Sequence, residues 1–418
     1  MSFTPTTRLN VAFRFDGSLR PVGQLALAQR RLLFEFAPSF LKDGLPLSPF
    51  TLPVKTGVHE EKKYTFEGLH GVFNDSLPDG WGRLLLDRAM EGVGVRRDQL
   101  TPLDRLAFVG SAAMGALTYE PAAASGEPVA STVDLLRLAE ASRQVLAGDS
   151  AAVVAELLEL GGSSGGARPK VFVDYHPERD ALAVGSSVPQ PGYLPLLVKF
   201  AARSDPEDVG AVEYAYAAMA RAAGIRVSPT WLLRPSPSHP GFFGTRRFDR
   251  DDEHRVHVHS LSGLLHASHR FPSTNYETLL NVTRRLTRDQ RSVESVFRRM
   301  VFNVAAHNRD DHSKNFAFQM SAAGEWSPTP AYDLTFSEGP GGTHWMALGG
   351  ECKAPGRGHL LATARGAGVP EKAALAALDE VRAAVARWEA FASAAGVSRG
   401  SAERIGARLG SVDRDLRG

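Results

Sequence analysis

Residues 308–315 read Asn-Arg-Asp-Asp-His-Ser-Lys-Asn, and Tyr332-Asp333-Leu334 follows after a short β-like segment. A phosphotransferase needs one carboxylate that orients the attacking hydroxyl, and an amide oxygen and a second carboxylate that hold Mg²⁺ against the nucleotide phosphates. Asp310 and Asn315 can lie at the two ends of one loop and face a common cavity, which Asp333 can reach from a neighbouring strand end. The spacing therefore predicts Asp310 as the catalytic carboxylate, and Asn315 and Asp333 as ligands of Mg²⁺, an ion that prefers oxygen.

The other polar residues of this loop have two interpretations each. Because successive residues point in different directions, Asp310 and Asp311 do not both face a substrate, and the interval to Asn315 selects Asp310. His312 either orients the loop through a hydrogen bond or only packs there. Lys314 either balances charge that develops on the phosphoryl group or is a solvated neighbour. We treat His312 and Lys314, together with Asp310, as the candidate catalytic residues.

The composition is that of a globular protein and excludes several classes of function. The chain has 418 residues, of which 43% are hydrophobic and 22% charged, enough for two or three domains. A net charge of +2 is too small to predict nucleic-acid binding by the whole chain. The single cysteine, Cys352, precludes an internal disulfide framework and fits a reducing compartment. No signal-peptide pattern and no apolar run of membrane-spanning length is present, so the sequence predicts a cytoplasmic protein.

The order of the predicted elements indicates a two-lobed, kinase-like α+β fold preceded by a mainly β domain. Residues 1–125 form the mainly β domain, and the Ala-, Gly-, Ser- and Pro-rich stretch 121–131 predicts a boundary. Residues 132–250 predict a small lobe on which the N-terminal domain packs, and residues 251–418 a helical lobe with the catalytic loop. The predicted strands are 8–15, one or two strands within 24–36, 171–173, 194–199, 225–233 and 244–248. The predicted helices are 84–90, 132–147, 151–160, 208–223, 293–306 and 371–394.

A glycine-rich segment and a strand lysine complete the candidate phosphate site. Residues 161–170 read Gly-Gly-Ser-Ser-Gly-Gly-Ala-Arg-Pro-Lys, and backbone N–H groups in such a segment can approach phosphate oxygens. The alternative is a flexible surface hairpin, and the ending of a Walker A motif is absent. Lys199 ends an apolar strand, where a lysine can reach the phosphates with Glu213, or less favourably Glu207, as its partner. The alternative here is a solvated lysine at a strand end.

Histidines raise the alternative of a transition-metal site. The candidates are His254, His257, His259, His266 and His269. Neither an H-E-x-x-H pattern nor a Cys/His zinc spacing is present, so the sequence favours structural roles for these side chains.

Taken together, these segments resemble the HipA family of serine/threonine kinases, the toxin half of bacterial HipBA toxin–antitoxin pairs. The resemblance covers most of the chain and rests on motifs that follow one another in the family's order. They are L-P-D-G-W-G-R at 77–83, G-G-A-R-P-K at 165–170, R-F-D-R at 247–250, D-D-H-S-K-N at 310–315 and P-A-Y-D at 330–333.

The resemblance implies ATP- and Mg²⁺-dependent phosphorylation of serine or threonine hydroxyls, with Asp310 as the base, Asn315 and Asp333 as metal ligands and Phe248 in the adenine site. Family members carry an autophosphorylated serine in the glycine loop, whose modification ejects the loop and stops ATP binding. That serine corresponds to Ser163, with Ser164 as an open alternative. The ATP-binding residues implied by the resemblance are Ser164, Gly165, Gly166, Ala167, Arg168, Lys170, Lys199, Arg247 and Phe248.

The sequence thus predicts a toxin kinase that phosphorylates a translation component such as an aminoacyl-tRNA synthetase. Its implied partner is a helix-turn-helix, HipB-like antitoxin, and its association with DNA is indirect, through that antitoxin. One alternative is a non-catalytic nucleotide-binding corepressor of a DNA-binding antitoxin. Another is a metal-dependent hydrolase that uses Asp310, Asp311 and His312 without ATP. Arg246, where the family often has an acidic residue, and Ser163-Ser164-Gly165 depart from the family pattern.

Overall fold

An antiparallel sheet begins the chain. The computed structural model describes residues 3–15, 17–122, 133–148, 151–161, 166–186, 189–251 and 254–417. The first sheet has the order β4-β3-β2-β1-β5. Its strands are β1 Arg8–Arg14, β2 Leu19–Ala28, β3 Arg31–Phe36, β4 Val58–Glu60 and β5 Leu117–Glu120. The alternation that predicted β1 places Leu9, Val11 and Phe13 on the buried face.

Short helices connect the strands of this domain and lead to its edge. They are α1 Pro38–Asp43, α2 Gly71–Asn74, α3 Gly80–Gly92 and α4 Pro102–Val109. Helix α4 has a capping box, because the Thr101 side chain accepts a hydrogen bond from the Asp104 N–H and Asp104 accepts one from the Thr101 N–H. Helix α3 begins at Gly80, four residues before the predicted start, and it leaves the first sheet to pack on the helix Ala151–Gly161.

The second sheet is also antiparallel, with the order β7-β6-β8-β10-β9. Its elements are α5 Leu135–Ala147, α6 Ala151–Gly161, β6 Lys170–His176, β7 Ala181–Val184, β8 Leu194–Lys199, α7 Val209–Ala222, β9 Thr230–Leu233 and β10 Phe242–Arg246. The prediction of a strand over 244–248 is wrong at its end. Beyond Arg246 the Arg247 N–H still donates to the Pro195 carbonyl oxygen at 2.9 Å, but Pro195 has no N–H to return a bond, so regular pairing ends there. The strand predicted from 225 likewise begins only at Thr230, after Pro229.

The helical lobe follows, interrupted by short strands. Its elements are β11 Arg250–Asp251, β12 His254–Arg255, β13 His257–Ser260, α8 Leu261–Leu265, α9 Tyr276–Thr287, α10 Gln290–Ala305, β14 Ala317–Met320, β15 Trp326–Pro328, α11 Arg357–Gly366, α12 Glu371–Val385, α13 Trp388–Ala395 and α14 Arg399–Arg417. The prediction of one helix over 371–394 is wrong, because α12 ends at Val385 and a separate helix, α13, begins at Trp388. The break lets Trp388 pack edge-on against Tyr216 of α7 at 5.4 Å and donate to the Ala402 carbonyl at 3.0 Å.

Two apolar cores divide the described residues differently from the predicted domains. One core joins the first sheet to the helical lobe, from Phe13 and Phe73 to Leu279 and Phe297. The other lies between the second sheet, α5, α6 and α3, to which Trp81 contributes. Among the described residues of the N-terminal domain, α3 is the element that carries apolar side chains to this second core. The expected packing of the whole N-terminal domain on the small lobe is therefore limited, in the apolar core, to α3. No helix in the described part of the chain is long and apolar enough to cross a membrane.

The histidines of the first core have separate structural partners. His257 Nε2 lies 3.2 Å from the Leu47 carbonyl oxygen, and His259 lies between Asp75, at 2.6 Å, and Ser48, at 2.9 Å. His254 is exposed. Within the ranges that the structure describes, no three His, Cys, Asp or Glu side chains converge as metal ligands. These contacts favour packing and hydrogen bonding over the alternative of a transition-metal site.

We expect the protein to lose stability as the pH falls below 6.5, partly through His257. Burial lowers the pKa of His257 from its ordinary 6.5 to about 3. A group whose folded-state pKa is depressed contributes stability above its unfolded pKa and loses it as the pH falls. At pH 4 the loss from this side chain is about 3 kcal/mol. Urea denaturation of wild type and His257→Asn at pH 7 and pH 4 should show a smaller pH dependence in the variant, and parallel losses would contradict the assignment.

Candidate active site between the two lobes

A strand lysine holds two carboxylates at the centre of the site. Lys199 Nζ lies 2.5 Å from Glu213 Oε1 on α7 and also contacts Asp333 Oδ1 from the loop after β15. Glu213 is buried, whereas the alternative partner Glu207 is exposed. Asp333 has φ 52°, a backbone conformation that non-glycine residues rarely adopt and that clusters at functional sites. The structure therefore joins Lys199 to Asp333, which is 134 positions away in sequence.

Electrostatics keep Lys199 and Asp333 charged. Burial alone would lower the pKa of Lys199, but Asp333 and Glu213 outweigh it and hold the pKa above its usual value. Burial alone would raise the pKa of Asp333, but Lys199 and Lys170 outweigh it and hold the pKa well below its usual range. The site therefore presents an ammonium group beside a carboxylate that stays ionised at neutral pH.

The loop that follows α10 carries Asp310 and Asn315. The side-chain amide nitrogen of Asn315 donates to the Asp310 carbonyl oxygen at 2.6 Å. Oδ1 of Asn315 is then the side-chain atom that can coordinate a metal. Arg299 of α10 donates to the carbonyl oxygens of Asn315, at 2.6 Å, and Tyr332, at 3.1 Å. This arginine thus ties the Asn315 loop to the Asp333 loop, a role that the sequence did not indicate.

The side chain of Asp310 points outward from this loop and is 52% exposed. Partial desolvation raises the pKa of Asp310. His312 opposes this increase, and the negative charge of Asp333 adds to it. His312 Nε2 lies 3.8 Å from Asp310 Oδ1, too far for a direct hydrogen bond. Of the predicted catalytic residues, His312 therefore lies beside Asp310. Lys314 is paired with Asp79.

Asp311 is a structural residue of the loop. It is fully buried and accepts hydrogen bonds from Tyr276 Oη at 2.5 Å, from His344 Nδ1 at 2.8 Å and from the Trp345 N–H at 2.8 Å. With both carboxylate oxygens engaged, Asp311 cannot face a substrate. This geometry removes one of the three residues needed for the hydrolase alternative.

We expect Asp311→Ala to lower the free energy of unfolding by about 3–5 kcal/mol, because it leaves buried donors without an acceptor. Asp310→Ala is the matched control, since it removes the adjacent but half-exposed carboxylate and should change stability by less than about 1 kcal/mol. Urea denaturation measures both. Equal losses in the two variants would show that Asp311 has no special structural role.

Only part of the glycine-rich segment lies within the described residues. Ser163, Ser164 and Gly165 fall outside them, whereas Gly166 has a positive φ of 86° and Ala167 is exposed.

The basic residues of the segment are held inside the site. Arg168 forms a bidentate ion pair with Asp205, in which Nε and Nη2 each lie 3.0 Å from a carboxylate oxygen. Lys170 is buried close to Gly166. Burial lowers the pKa of Lys170, and the charges of Asp333 and Asp79 act against this decrease.

The R-F-D-R motif divides between the site and the domain interface. Arg247 stacks on Phe172 at 4.3 Å and pairs with buried Asp249 at 3.0 and 2.8 Å, so its guanidinium serves packing. Arg250 donates to the Gly115 carbonyl at 2.8 Å and anchors the N-terminal domain. Phe248 stacks on Tyr332, with ring centroids 5.7 Å apart, and so lies next to the Asp333 loop.

Sequence reasoning did not assign a role to Asp79, which the structure places inside the site. Its carboxylate contacts both the Gly166 N–H and the Lys314 ammonium group. The signal was the L-P-D-G-W-G-R motif, which was recognised as a pattern without a chemical role for its aspartate.

The donor set of the site fits Mg²⁺. Asn315 offers an amide oxygen, and Asp333 has a second carboxylate oxygen beyond the one that contacts Lys199. Hard oxygen ligands in small number are what Mg²⁺ uses beside nucleotide phosphates. The arrangement can therefore hold a divalent cation next to an ammonium group and an exposed carboxylate.

The chain is similar in structure and sequence to known proteins. One similar structure is a chain of the Shewanella oneidensis MR-1 toxin–antitoxin complex of HipA, HipB and operator DNA, with 17% identity, a TM-score of 0.70 and coverage of 97% of this chain and 95% of that one. Another is the Helicobacter pylori proinflammatory kinase CtkA, with 13% identity, a TM-score of 0.43 and coverage of 62% and 92%. No curated protein sequence is a significant match.

Two family matches cover most of the sequence. The HipA N-terminal domain matches residues 17–120, and the HipA-like C-terminal domain matches residues 162–388. The predicted α+β fold, with a mainly β N-terminal domain and a helical C-terminal lobe, is confirmed. Because the C-terminal match spans more than half of the chain and both domains occur in order, this protein belongs to the HipA family of toxins.

Proposed function

We propose that this protein is an ATP- and Mg²⁺-dependent serine/threonine protein kinase. The observation that carries the proposal is the ion-paired group of Lys199, Glu213 and Asp333, with Asn315 and exposed Asp310 on the adjoining loop. These are the parts that a kinase uses to hold nucleotide phosphates and a metal ion and to orient a hydroxyl.

The residues of the chain divide the work of phosphoryl transfer. Asp310 accepts a hydrogen bond from the serine or threonine hydroxyl and takes its proton as the new O–P bond forms. The bond between the γ-phosphorus and the β–γ bridging oxygen breaks, and ADP leaves. Lys199 binds phosphate oxygens, held in place by Glu213. Asn315 and Asp333 would hold Mg²⁺, which when bound would neutralise phosphate charge.

The adenine site lies beside Phe248 in this proposal. Its ring stacks on Tyr332, which directly precedes Asp333, so a nucleotide base at Phe248 can have its phosphates at the metal ligands. Lys170, which lies close to Gly166, adds positive charge near Asp333. Arg168 and Arg247 are occupied by Asp205 and Asp249, so their contribution is to shape the site and not to bind phosphate directly.

Membership of the HipA family supports proposals for the partner and the substrate. The structurally similar Shewanella oneidensis protein is found in a complex with HipB and operator DNA. We propose a HipB-like antitoxin as partner of this chain, with DNA contacted only through it. We further propose an aminoacyl-tRNA synthetase as the protein substrate and Ser163, or Ser164, as a site of autophosphorylation that limits activity.

The alternative of a non-catalytic corepressor requires a nucleotide site without transfer chemistry. It is disfavoured because Asp310, Asn315, Asp333 and Lys199 are all present, and Asp310 is left exposed where a hydroxyl can approach. A nucleotide-binding corepressor needs no such carboxylate. The hydrolase alternative is disfavoured because Asp311 is consumed by structural hydrogen bonds.

Transfer of labelled phosphate tests the proposal. The purified protein is incubated with [γ-³²P]ATP, Mg²⁺ and purified aminoacyl-tRNA synthetases, with Asp310→Asn and EDTA-treated samples beside it. We expect label on serine or threonine of a synthetase or of the kinase itself, and none in either control. Nucleotide binding without any transfer would favour the corepressor, and activity without ATP would favour the hydrolase.

A further inference from the structure

Asp79 connects the start of α3 to Gly166 of the glycine-rich segment and to Lys314 of the catalytic loop. Phosphoryl transfer as proposed above does not use this residue. It immediately precedes α3, in extended conformation, where an aspartate ordinarily accepts a hydrogen bond from the first turn of its own helix. Its side chain makes no such bond. Oδ1 accepts from the Gly166 N–H instead, and Oδ2 pairs with Lys314 of the catalytic loop.

The start of α3 makes further hydrogen bonds to the described part of the glycine-rich segment. The Trp81 N–H donates to the Gly166 carbonyl at 2.9 Å, and the Trp81 indole N–H donates to the Lys170 carbonyl at 3.1 Å. Gly80 has φ 43°, and a Cβ there would collide with the Gly166 carbonyl. Residues 79–81 therefore contact both ends of the segment 166–170 at a distance that only glycine at position 80 permits.

The pair of Asp79 and Lys314 lies in a largely enclosed position. The two side chains are 15% and 17% exposed. Burial would raise the pKa of Asp79, but Lys314 and the Gly166 N–H outweigh it and lower the pKa to about 2. A buried ion pair is weak evidence for stability, because desolvation offsets most of the attraction. Its location between two loops of the site points to positioning.

We propose that Asp79 is a positioning residue of the nucleotide site, which holds segment 166–170 against the catalytic loop through Gly166 and Lys314. The inference rests on the proposed function, since nucleotide phosphate is the ligand assigned to this segment. Without the anchor, the segment and the Lys314 side chain have to be ordered when the nucleotide binds. That ordering costs affinity.

Nucleotide affinity in a double-mutant cycle tests the inference. Asp79→Asn keeps an acceptor for the Gly166 N–H and removes the ion pair, and Lys314→Met removes the other partner. We expect each variant to weaken binding of a fluorescent, non-hydrolysable Mg·ATP analogue about tenfold to a hundredfold. The double variant should be no weaker than the worse single one, because the two residues act as a unit. Asp87→Asn is the matched control, since it breaks the ion pair of α3 with Arg105 away from the segment.

Hydrogen exchange without nucleotide gives a second readout that does not depend on activity. Peptides covering 166–176 and 310–316 should exchange faster in Asp79→Asn than in wild type or Asp87→Asn. If Asp79→Asn does not fold, Lys314→Met alone should give the same two effects. Unchanged affinity and exchange in a folded variant, or additive losses in the double variant, would overturn the inference. A wild type that fails to bind nucleotide would refute the proposed function, whereas the exchange result would still decide the role of Asp79.

Discussion

Asp310→Asn is expected to abolish phosphoryl transfer while leaving the fold and nucleotide binding intact. The half-exposed carboxylate is the group on the catalytic loop that can reach a substrate hydroxyl, because neighbouring Asp311 is buried in hydrogen bonds. Asparagine has nearly the same shape but cannot take the proton. Losing a positioned base costs on the order of 10²–10⁴ in rate. Initial rates of ³²P transfer from ATP at saturating Mg²⁺ measure the loss.

Two controls separate this effect from a change in fold or in nucleotide affinity. Affinity for a non-hydrolysable ATP analogue should differ by less than about twofold between wild type and variant, because within the described ranges the Asp310 side chain contacts neither Lys199 nor Lys170. Asp379→Asn removes a carboxylate on α12 that is 68% exposed, and it should transfer phosphate at the wild-type rate. A fully active Asp310→Asn enzyme would refute the assignment of the base.

Asp333→Ala is expected to remove most of the Mg²⁺-dependent part of nucleotide binding. Mg²⁺ keeps few protein ligands, so the loss of one carboxylate should weaken binding at least tenfold. The substitution also leaves Lys199 paired with Glu213 alone at 2.5 Å, which draws the ammonium group away from the phosphates. Calorimetric titration with a non-hydrolysable ATP analogue across a series of Mg²⁺ concentrations measures the effect.

The matched variants for this prediction are Asp333→Asn and Glu213→Gln. Asparagine retains one oxygen ligand, so its affinity should lie between that of wild type and that of Asp333→Ala. Glu213→Gln disturbs Lys199 without touching a metal ligand, so its weaker binding should not vary with Mg²⁺ concentration. If Asp333→Ala and wild type respond identically to Mg²⁺, Asp333 is not a metal ligand.

Local sequence patterns predicted several of the helices and strands, but the ends of these elements depended on partners. The alternation in 8–15 predicted β1 because a strand with one buried face needs apolar residues at every second position. The pattern over 371–394 is helical throughout, yet the helix breaks at residue 386 because Trp388 finds its packing site on α7. The end of β10 likewise depends on Pro195 of the strand beside it.

The catalytic loop could be proposed from spacing alone because its chemistry is concentrated in six consecutive residues. The choice between Asp310 and Asp311 was indicated by that spacing, and the structure supplies the reason, since Tyr276, His344 and Trp345 engage Asp311. Lys314 could not be interpreted in this way. Its partner is Asp79, which is 235 positions away, and no local pattern records which distant carboxylate a lysine will meet.

The sequence by itself determined the family, the mixed fold and the residue types that phosphoryl transfer requires, because these depend on local periodicity and on short motifs. Only the tertiary structure decided which charges are neutralised by one another and which remain available to a ligand. Ion pairing depends on distances of a few ångströms between residues far apart in the chain, and these distances exist only after the cores have packed. For that reason Arg168, Arg247 and Asp311 proved to be engaged by partners, whereas Asp310 is left half exposed at the site.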